Sequence, residues 1–497
     1  MKFLHIFCLL LLFCSAQAQC PDNNIVFHNQ AMIDSFPIKF PNCKNLGPIG
    51  FSIRESEQGN ITSLLPFQQL IGTQECELFI IANKKLTSLA GLDNIDSIKN
   101  GVLIQNNSIK DINALTKLKY CKWGLTIEED SLVNLSGLEN LNYAFQVSLQ
   151  SKNTGKISLK PLSGLREASN LIFSGNYIFE KLRLKYVKNL TIRSNDFIEN
   201  LNGIFIDSLV ENLTLFLRRD FSFEGQNRPS LINNISINGD KIHKLSFKGI
   251  ESYNRIKNVY LFDFDSFSNE ASLESVVITN GLHVENIKNY PKNFLSTFLY
   301  PDSINLIGLV SLDSLINLKG LENVKELSGL RLSDNVNLKN IDALLNVKSA
   351  NVFAHVYIPN KQYYLMIDKN PMLNYCQIPF ICDILNKAPS SKVFINQNDE
   401  LCEDKDAVIK LCKVTMVTET EKGEKGGIYP NPIKPGNQIF THSSERVVQW
   451  SIFDLTGNQI ISSLQEPITI PNTIKPGVYI LETKTSKNSA SFKLWIY

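Results

Sequence analysis

A short phrase recurs along this chain at intervals of about 23 residues and limits what the chain can fold into. It appears as Leu89-Ala90-Gly91-Leu92, Ile112-Asn113-Ala114-Leu115 and Leu135-Ser136-Gly137-Leu138, and returns as Leu318-Lys319-Gly320-Leu321 and Ile341-Asp342-Ala343-Leu344. A unit this short cannot enclose a core of its own, so successive copies must stack on one another. The repeat therefore predicts a solenoid, whose long surface favours a binding role.

Each repeat carries a short strand that is followed, at a fixed spacing, by Asn or Asp. In Leu78-Phe79-Ile80 the outer residues are predicted to point inward, and Asn83 follows three positions after Ile80. The same spacing predicts a ladder that consists of Asn83, Asn107, Asp130, Asn176, Asn195, Asn335 and Asn370. A short amide inside the stack can bond backbone groups that lose the sheet where the chain bends, and can bond its equivalent one turn away. We interpret these residues as architecture.

The N-terminus and the cysteines of the chain predict export. Residues 1–18 read as a signal peptide, with Lys2, an apolar run and Ala16-Gln17-Ala18 at the cleavage site. Eight cysteines follow, and an even number in an exported protein suggests disulfides. No later stretch is apolar enough to cross a membrane.

The repeat resembles the leucine-rich repeat and the related receptor L-domain of secreted proteins of the Bacteroidetes type. The likeness is good over residues 78–149 and 304–376. The recurring four-residue phrase, which we call the corner phrase, becomes hard to recognise between 151 and 300. A continuous solenoid and a break into two repeat blocks both remain open there. The resemblance implies a mainly β fold, a right-handed parallel β solenoid over residues 78–375.

The same resemblance implies a cap at each end of the solenoid, over residues 19–77 and 376–412. A Cys20–Cys43 bridge would close the first cap. The second cap contains Cys376, Cys382, Cys402 and Cys412, which allow three pairings that the sequence does not distinguish; we take Cys376–Cys402 with Cys382–Cys412 as a working pairing. Zinc is the rival interpretation, although paired Cys-x-x-Cys spacings are missing. Cys76 and Cys121 are expected to be free, buried thiols.

A separate module follows a predicted linker at 413–427. Pro430-Asn431-Pro432, an Asp-x-x-Gly hairpin at Asp454, and Pro476-Gly477-Val478-Tyr479 lie among alternating strand patterns. Residues 428–497 resemble the type A C-terminal sorting domain of the type IX secretion system. The resemblance implies an immunoglobulin-like β-sandwich, the secretion machinery as a partner, and a secreted or cell-surface location.

The sequence favours binding over catalysis. The formal net charge of +2 gives no electrostatic case for nucleic acid, and the motifs of common catalytic and cofactor sites do not occur. We expect no enzymatic activity and no cofactor. The predicted ligand face, for a protein or a glycan, consists of the outward residues Arg193, Phe216, Tyr260, Phe262 and Arg331.

The alternative is a carbohydrate-active enzyme, similar to a polysaccharide lyase on a parallel β-helix. Asp263 and Asp265 alternate along a predicted strand, so their carboxylates would share one face. They are the candidate calcium ligands of that alternative.

Overall fold

The computed structural model describes residues 20–497 except 58, 74, 181, 207–208, 226–230, 269, 350–355, 359–360, 415–427, 430–432, 442–446, 456, 465–467, 486–488 and 497. The predicted signal peptide, nearly all of the predicted linker and the Pro430-Asn431-Pro432 motif lie outside the described residues. The chain divides into two compact units, residues 1–301 and 302–497.

The first unit is built from strands that run parallel to one another. In chain order they are β1 (Ile25–Phe27), β2 (Asn45–Leu46), β3 (Gly50–Ile53), β4 (Gly72–Thr73), β5 (Glu77–Ile81), β6 (Ser97–Ile98), β7 (Gly101–Gln105), β8 (Tyr120–Cys121), β9 (Gly124–Glu128), β10 (Tyr143–Ala144), β11 (Gln146–Gln150), β12 (Ile157–Ser158), β13 (Glu167–Ser174), β14 (Tyr177–Ile178), β15 (Leu182–Leu184), β16 (Tyr186–Asn195), β17 (Ile204–Ile206), β18 (Leu209–Leu217), β19 (Phe221–Ser222), β20 (Leu231–Ser246), β21 (Arg255–Ser268) and β22 (Val277–Asn289). The main sheet runs β1-β3-β5-β7-β9-β11-β13-β16-β18-β20-β21-β22, and each strand pairs in parallel with the next. The register shifts locally in the last pairings, between Arg193 and Asn195, Asn238 and Ile242, and Ile256 and Asn258. The shorter strands β2, β4, β6, β8 and β10 form a second parallel row that precedes it in each turn.

The predicted solenoid is therefore present in this unit, and it is continuous. The strands stay paired through residues 151–289, where the corner phrase fades, so the turns of this unit form one stack and not two blocks. Parallel pairing also starts earlier than residue 78, because Phe51 pairs with Ile25 and with Leu78.

Alternation along each main strand places the aliphatic residues in the core. Leu78 and Ile80 are buried, as are the residues in register with them on the next strand, Val102 and Ile104. A parallel, in-register stack brings like positions together from turn to turn, so this inward pattern forms a continuous apolar core.

The corner phrase adopts two conformations. Where it contains glycine, as at Gly91 and Gly137, φ is +112°, a left-handed value that glycine tolerates best. A Cβ on Gly137 would overlap the backbone carbonyl oxygen of Ile112 in the preceding turn. Where the phrase contains alanine, the chain forms a short 3-10 turn instead, at Asn113–Leu115.

A carboxylate two residues after the glycine completes several of these corners. Glu139 Oε2 accepts a hydrogen bond of 2.7 Å from the backbone N–H of Gly137, and Glu322 Oε2 makes the same contact to Gly320. The corner phrase is therefore a four-residue turn plus an acidic residue that satisfies one of its backbone donors.

The predicted ladder exists inside the first turns, with one correction. Asn83 Nδ2 donates to Asn107 Oδ1 at 2.8 Å, and both amides also bond the backbone of the preceding turn. The next rung is Glu129 and not Asp130: Glu129 Oε1 accepts bonds of 2.9 and 2.7 Å from the backbone and side-chain N–H groups of Asn107. Asp130 is exposed and pairs with Lys152 at 3.4 Å.

The physical reason for this correction is the length of the bend after the strand. Ala82 and Asn106, just before the first two rungs, have φ values of +59° and +55°. The bend before Glu129 lacks that left-handed residue. The ladder position therefore falls one residue earlier, at Glu129. Its longer side chain reaches the amide of Asn107, which Asp130 was expected to bond.

In the middle turns the predicted rungs are buried as well. Asn176 Nδ2 donates to the Thr154 carbonyl at 3.2 Å, and Asn195 Nδ2 donates to the Tyr177 carbonyl at 2.7 Å. Both residues bond the backbone of an adjacent turn, as expected for ladder positions.

The cap of the first unit contains the helices α1 (Gln30–Asp34) and α2 (Phe36–Lys39) and the Cys20–Cys43 disulfide. Phe27, Phe36, Phe51 and Phe67 pack together with ring centroids 5.0 to 6.0 Å apart. Aromatic side chains close the core at this end. Cys76 and Cys121 are free and buried, and burial raises the pKa of both thiols to about 12.

The second unit begins with further parallel strands and a helical cap. These elements are β23 (Ser303–Val310), β24 (Glu326–Ser333), β25 (Lys348–Ser349), β26 (Val356–Ile358), β27 (Lys361–Tyr363), β28 (Leu365–Asp368), α3 (Pro379–Lys387), β29 (Val393–Asn396) and α4 (Lys405–Val414). Strands β23, β24, β28 and β29 pair in parallel and in register. The cap segments are joined by the disulfides Cys376–Cys402 and Cys382–Cys412, which is the pairing that we took from the sequence as a working assumption.

The ladder of the second unit has a rung that was not predicted. Asn335 bonds Asn370, and Asn370 Nδ2 donates to Asn398 Oδ1 at 2.9 Å. Asn398 Nδ2 in turn donates to the Ile367 carbonyl at 2.9 Å. Asn398 stands three residues after Ile395, so the spacing that marks the other rungs continues into the cap.

The last segment is an antiparallel two-sheet sandwich. One sheet contains β30 (Ile428–Tyr429), β31 (Gln438–Thr441) and β34 (Ile468–Thr469); the other has the order β33 (Gln459–Ser463), β32 (Gln449–Phe453), β35 (Gly477–Lys484) and β36 (Ser489–Ile496). Both sheets contribute to one apolar core that includes Ile439, Trp450, Ile468 and Leu481.

Candidate functional site

The outward surface of the main sheet in the first unit carries the candidate site. Register places Arg193, Phe216, Asn238, Phe262 and Glu285 side by side on five successive strands, β16 to β22. The Arg193 guanidinium lies over the Phe216 ring, 5.0 Å from its centroid. Arg193 is exposed and the two phenylalanines are half-buried, so this row presents a cation and two aromatic rings on one surface.

A second row lies beside it, two residues back along each strand. It contains Thr191, Thr214, Ser236, Tyr260 and His283. Burial raises the pKa of the Tyr260 hydroxyl. The phenol therefore stays protonated at neutral pH and can donate a hydrogen bond to a ligand.

His283 connects the two rows. Its Nε2 atom lies 2.9 Å from Glu285 Oε2, and its ring packs against Phe262 with centroids 5.4 Å apart. The imidazole is thus oriented from two directions. The imidazole of His283 and the hydroxyl of Tyr260, its in-register partner, place two polar groups beside the Phe262 ring. We call Arg193, Phe216, Tyr260, Phe262, His283 and Glu285 the solenoid face.

An asparagine row borders the solenoid face. The side-chain amides form a continuous chain of hydrogen bonds of 2.5 to 2.7 Å, through Asn170, Asn189, Asn212, Asn234, Asn258 and Asn280. Successive members lie 19, 23, 22, 24 and 22 residues apart, one for each turn. A carboxamide has two N–H donors and two acceptor lone pairs, and the chain uses one of each at an internal rung.

The structure brings four of the five predicted ligand residues onto this face. Arg193, Phe216, Tyr260 and Phe262 lie within it, whereas Arg331 belongs to the second unit. Arg331 stands on β24 in register with Gly308 and Met366.

The aspartates of the enzyme alternative have protein partners. Asp263 has φ of +62° and lies at a bend. Its carboxylate accepts bonds from Asn238 at 2.9 Å and Asn286 at 2.6 Å, while Asp265 pairs with Lys288 at 2.6 Å. Within the described ranges, no group of three or more His, Cys, Asp or Glu is arranged to hold a metal ion.

Sequence reasoning missed His283, Glu285 and the asparagine row. The sequence alone predicts the strand of that turn at Val276-Val277-Ile278. In the structure β22 continues to Asn289, and Leu282-His283-Val284 aligns with Val259-Tyr260-Leu261. The asparagine row was visible as a repeated Asn before the first inward residue, in Asn189-Leu190, Asn212-Leu213, Asn234-Ile235 and Asn258-Val259.

The fold and site define a mainly β protein with a parallel solenoid-type sheet, disulfide-bonded caps and a C-terminal antiparallel module. Residues 427–497 match the family described as the secretion system C-terminal sorting domain. No curated protein matches the chain significantly. The sorting domain is of the type IX class, and with the disulfides it indicates export to the cell surface or secretion. Among the described residues, none forms a helix long and apolar enough to cross a membrane.

Proposed function

We propose that the protein is a non-enzymatic binding or adhesion protein, exported by type IX secretion, whose solenoid face recognises a protein or glycan. The observation that carries this proposal is the alignment of Arg193, Phe216, Tyr260 and Phe262 on adjacent strands. Aromatic and arginine side chains contribute most of the binding energy in many interfaces because they bury large areas and add directional contacts.

The rigidity of the face supports a binding role. Arg193, Phe216, Tyr260 and Phe262 stand on strands that are each paired with a strand on either side. The asparagine row adds a second line of hydrogen bonds alongside. A ligand would meet side chains that are already ordered, so little conformational entropy is lost on binding.

The test compares a double variant of the face with a matched control. Y260A/F262A should bind the ligand recovered by pull-down at least about tenfold more weakly, since two central aromatic anchors are removed. F79A is the control, because Phe79 is an outward, half-buried aromatic in the same sheet but several turns away. Equal binding of wild type, Y260A/F262A and F79A would contradict the proposed face, provided that their melting temperatures agree.

A polysaccharide lyase-like enzyme is the second candidate, and one observation favours it. His283 Nε2 and Glu285 Oε2 lie 2.9 Å apart, and His283 is in register with Tyr260 on the adjacent strand. Imidazole, carboxyl and phenol groups can transfer protons in catalysis. An ultraviolet assay for unsaturated products, on uronate polysaccharides with and without calcium, tests this candidate. Product formation that is lost in H283A would replace the binding proposal.

A further inference from the structure

A second exposed surface lies on the short strands that precede the main sheet. Tyr120 and Trp123 belong to one turn, and Tyr143 and Phe145 to the next; we call these four residues the aromatic patch. Trp123 is 55% exposed, and Tyr120 and Phe145 are each 38% exposed. Exposed aromatic residues that cluster on neighbouring turns require an explanation, since single exposed apolar residues are common but clusters mark interaction sites.

Stacking of the turns aligns the four rings. Tyr120 pairs in register with Tyr143, and their rings stack with centroids 5.1 Å apart and planes within 15°. Trp123 and Phe145 meet edge to face, with centroids 6.1 Å apart. The rings hold one another in place, so the aromatic patch is a preformed surface.

Basic side chains surround the aromatic patch. Lys99, Lys119, Lys122 and Arg166 are exposed on the same row of short strands or directly beside it. Lys122 Nζ lies 5.7 Å from the centre of the Trp123 ring. None of the three lysine ammonium groups forms an ion pair with the residues that the structure describes.

Acidic side chains offset this charge only in part. Asp96 and Glu167 lie on the same row, and Glu167 Oε1 is already 3.8 Å from Lys185 Nζ. The patch therefore has local positive charge although the whole chain carries a formal net charge of only +2. That charge is complementary to an anionic partner.

The geometry points to the aromatic patch as the docking surface for an anionic polysaccharide that carries carboxylate or sulfate groups. Sugar rings present flat C–H faces that lie against aromatic rings, and hydroxyl groups that the tyrosine hydroxyls can meet. Lys119 and Lys122 supply ammonium donors for the anionic substituents. A nucleic acid or an acidic protein would also be attracted by the positive charge of the patch. We favour a polysaccharide because an exported chain meets extracellular polysaccharides.

The experiment is affinity electrophoresis of the full chain in gels that contain dextran, carboxymethyl-dextran or dextran sulfate, at about 0.15 M salt. These polymers share one backbone and differ in charge. We expect both anionic polymers to retard the chain and dextran to have no effect. W123A/F145A, which changes no charge, and K119S/K122S should each weaken binding by about tenfold or more.

K84S/K85S is the matched charge control, because both lysines are exposed and lie in another turn. It should keep its affinity within about twofold. Three results would each overturn the inference. They are no retardation by either anionic polymer, equal losses in K84S/K85S and K119S/K122S, and unchanged binding in W123A/F145A. Equal competition by single-stranded DNA would assign the surface to nucleic acid instead.

Discussion

Glu129 shows how one residue departs from the rule that its neighbours follow. Six of the seven predicted ladder residues are asparagines, and their neutral amides suit a buried position. Glu129 places a carboxyl group in the same position, fully buried within the ladder. Burial raises its pKa from the ordinary value of 4.5, and this outweighs the hydrogen bonds from Asn107, which lower it.

The raised pKa predicts a pH dependence of stability. Below about pH 4.5 the carboxyl is protonated in both states. As the pH rises, the unfolded chain releases its proton first, so the free energy of unfolding falls until the raised pKa is passed. E129Q keeps an acceptor for Asn107 and removes the titration, so its stability advantage over wild type should grow from pH 4 to pH 7.

Urea denaturation of wild type and E129Q at both pH values measures this difference. D130N is the control for the loss of one charge, because Asp130 is exposed next to Glu129. A difference between E129Q and wild type that is the same at both pH values would show that Glu129 is not held in its neutral form.

At the scale of single elements, the repeated corner is where sequence and structure agree most closely. The period identified the glycines correctly, because only a residue without a Cβ fits both the left-handed φ and the carbonyl of the preceding turn. In the sequence pattern, Gly and Ala both occur at the third position of the corner phrase and cannot be distinguished. The structure separates them into a left-handed corner and a 3-10 turn.

This distinction predicts that Gly137 cannot be replaced by alanine, although alanine occurs at equivalent positions. G137A should lower the free energy of unfolding by at least about 2 kcal/mol, since a Cβ would strain φ and overlap the Ile112 carbonyl. G47A is the control because a Cβ on Gly47 would meet nothing within 4 Å. Similar denaturation midpoints for G137A and G47A would contradict the proposed role of the corner.

The limits of sequence reasoning are also clearest at this scale. The Asn spacing located the ladder because a buried bend leaves backbone groups that an amide must bond. It failed at Asp130, since the length of a bend depends on a left-handed residue that the sequence does not mark. The site was predicted in part: outward alternation located Tyr260 and Phe262, but His283 lay beyond a shift in register between Ile256 and Asn258.

At the scale of the molecule, stacking makes distant residues neighbours. Tyr260 and His283 are in-register partners on adjacent strands, and so are Tyr120 and Tyr143 in the aromatic patch. Both proposed surfaces therefore depend on the register of successive turns. The C-terminal module adds export, and its sandwich has an apolar core of its own.

The most direct test of the stacked register is disulfide trapping on the outward row. Thr191 and Thr214 are in-register partners on adjacent strands, whereas Ser236 lies one strand further from Thr191. Neighbouring strands are about 4.8 Å apart, within reach of a disulfide, and a residue two strands away is not. Under mild oxidation, T191C/T214C should cross-link while T191C/S236C should not. Cross-linking of T191C/S236C, or of neither variant, would contradict the stacked solenoid.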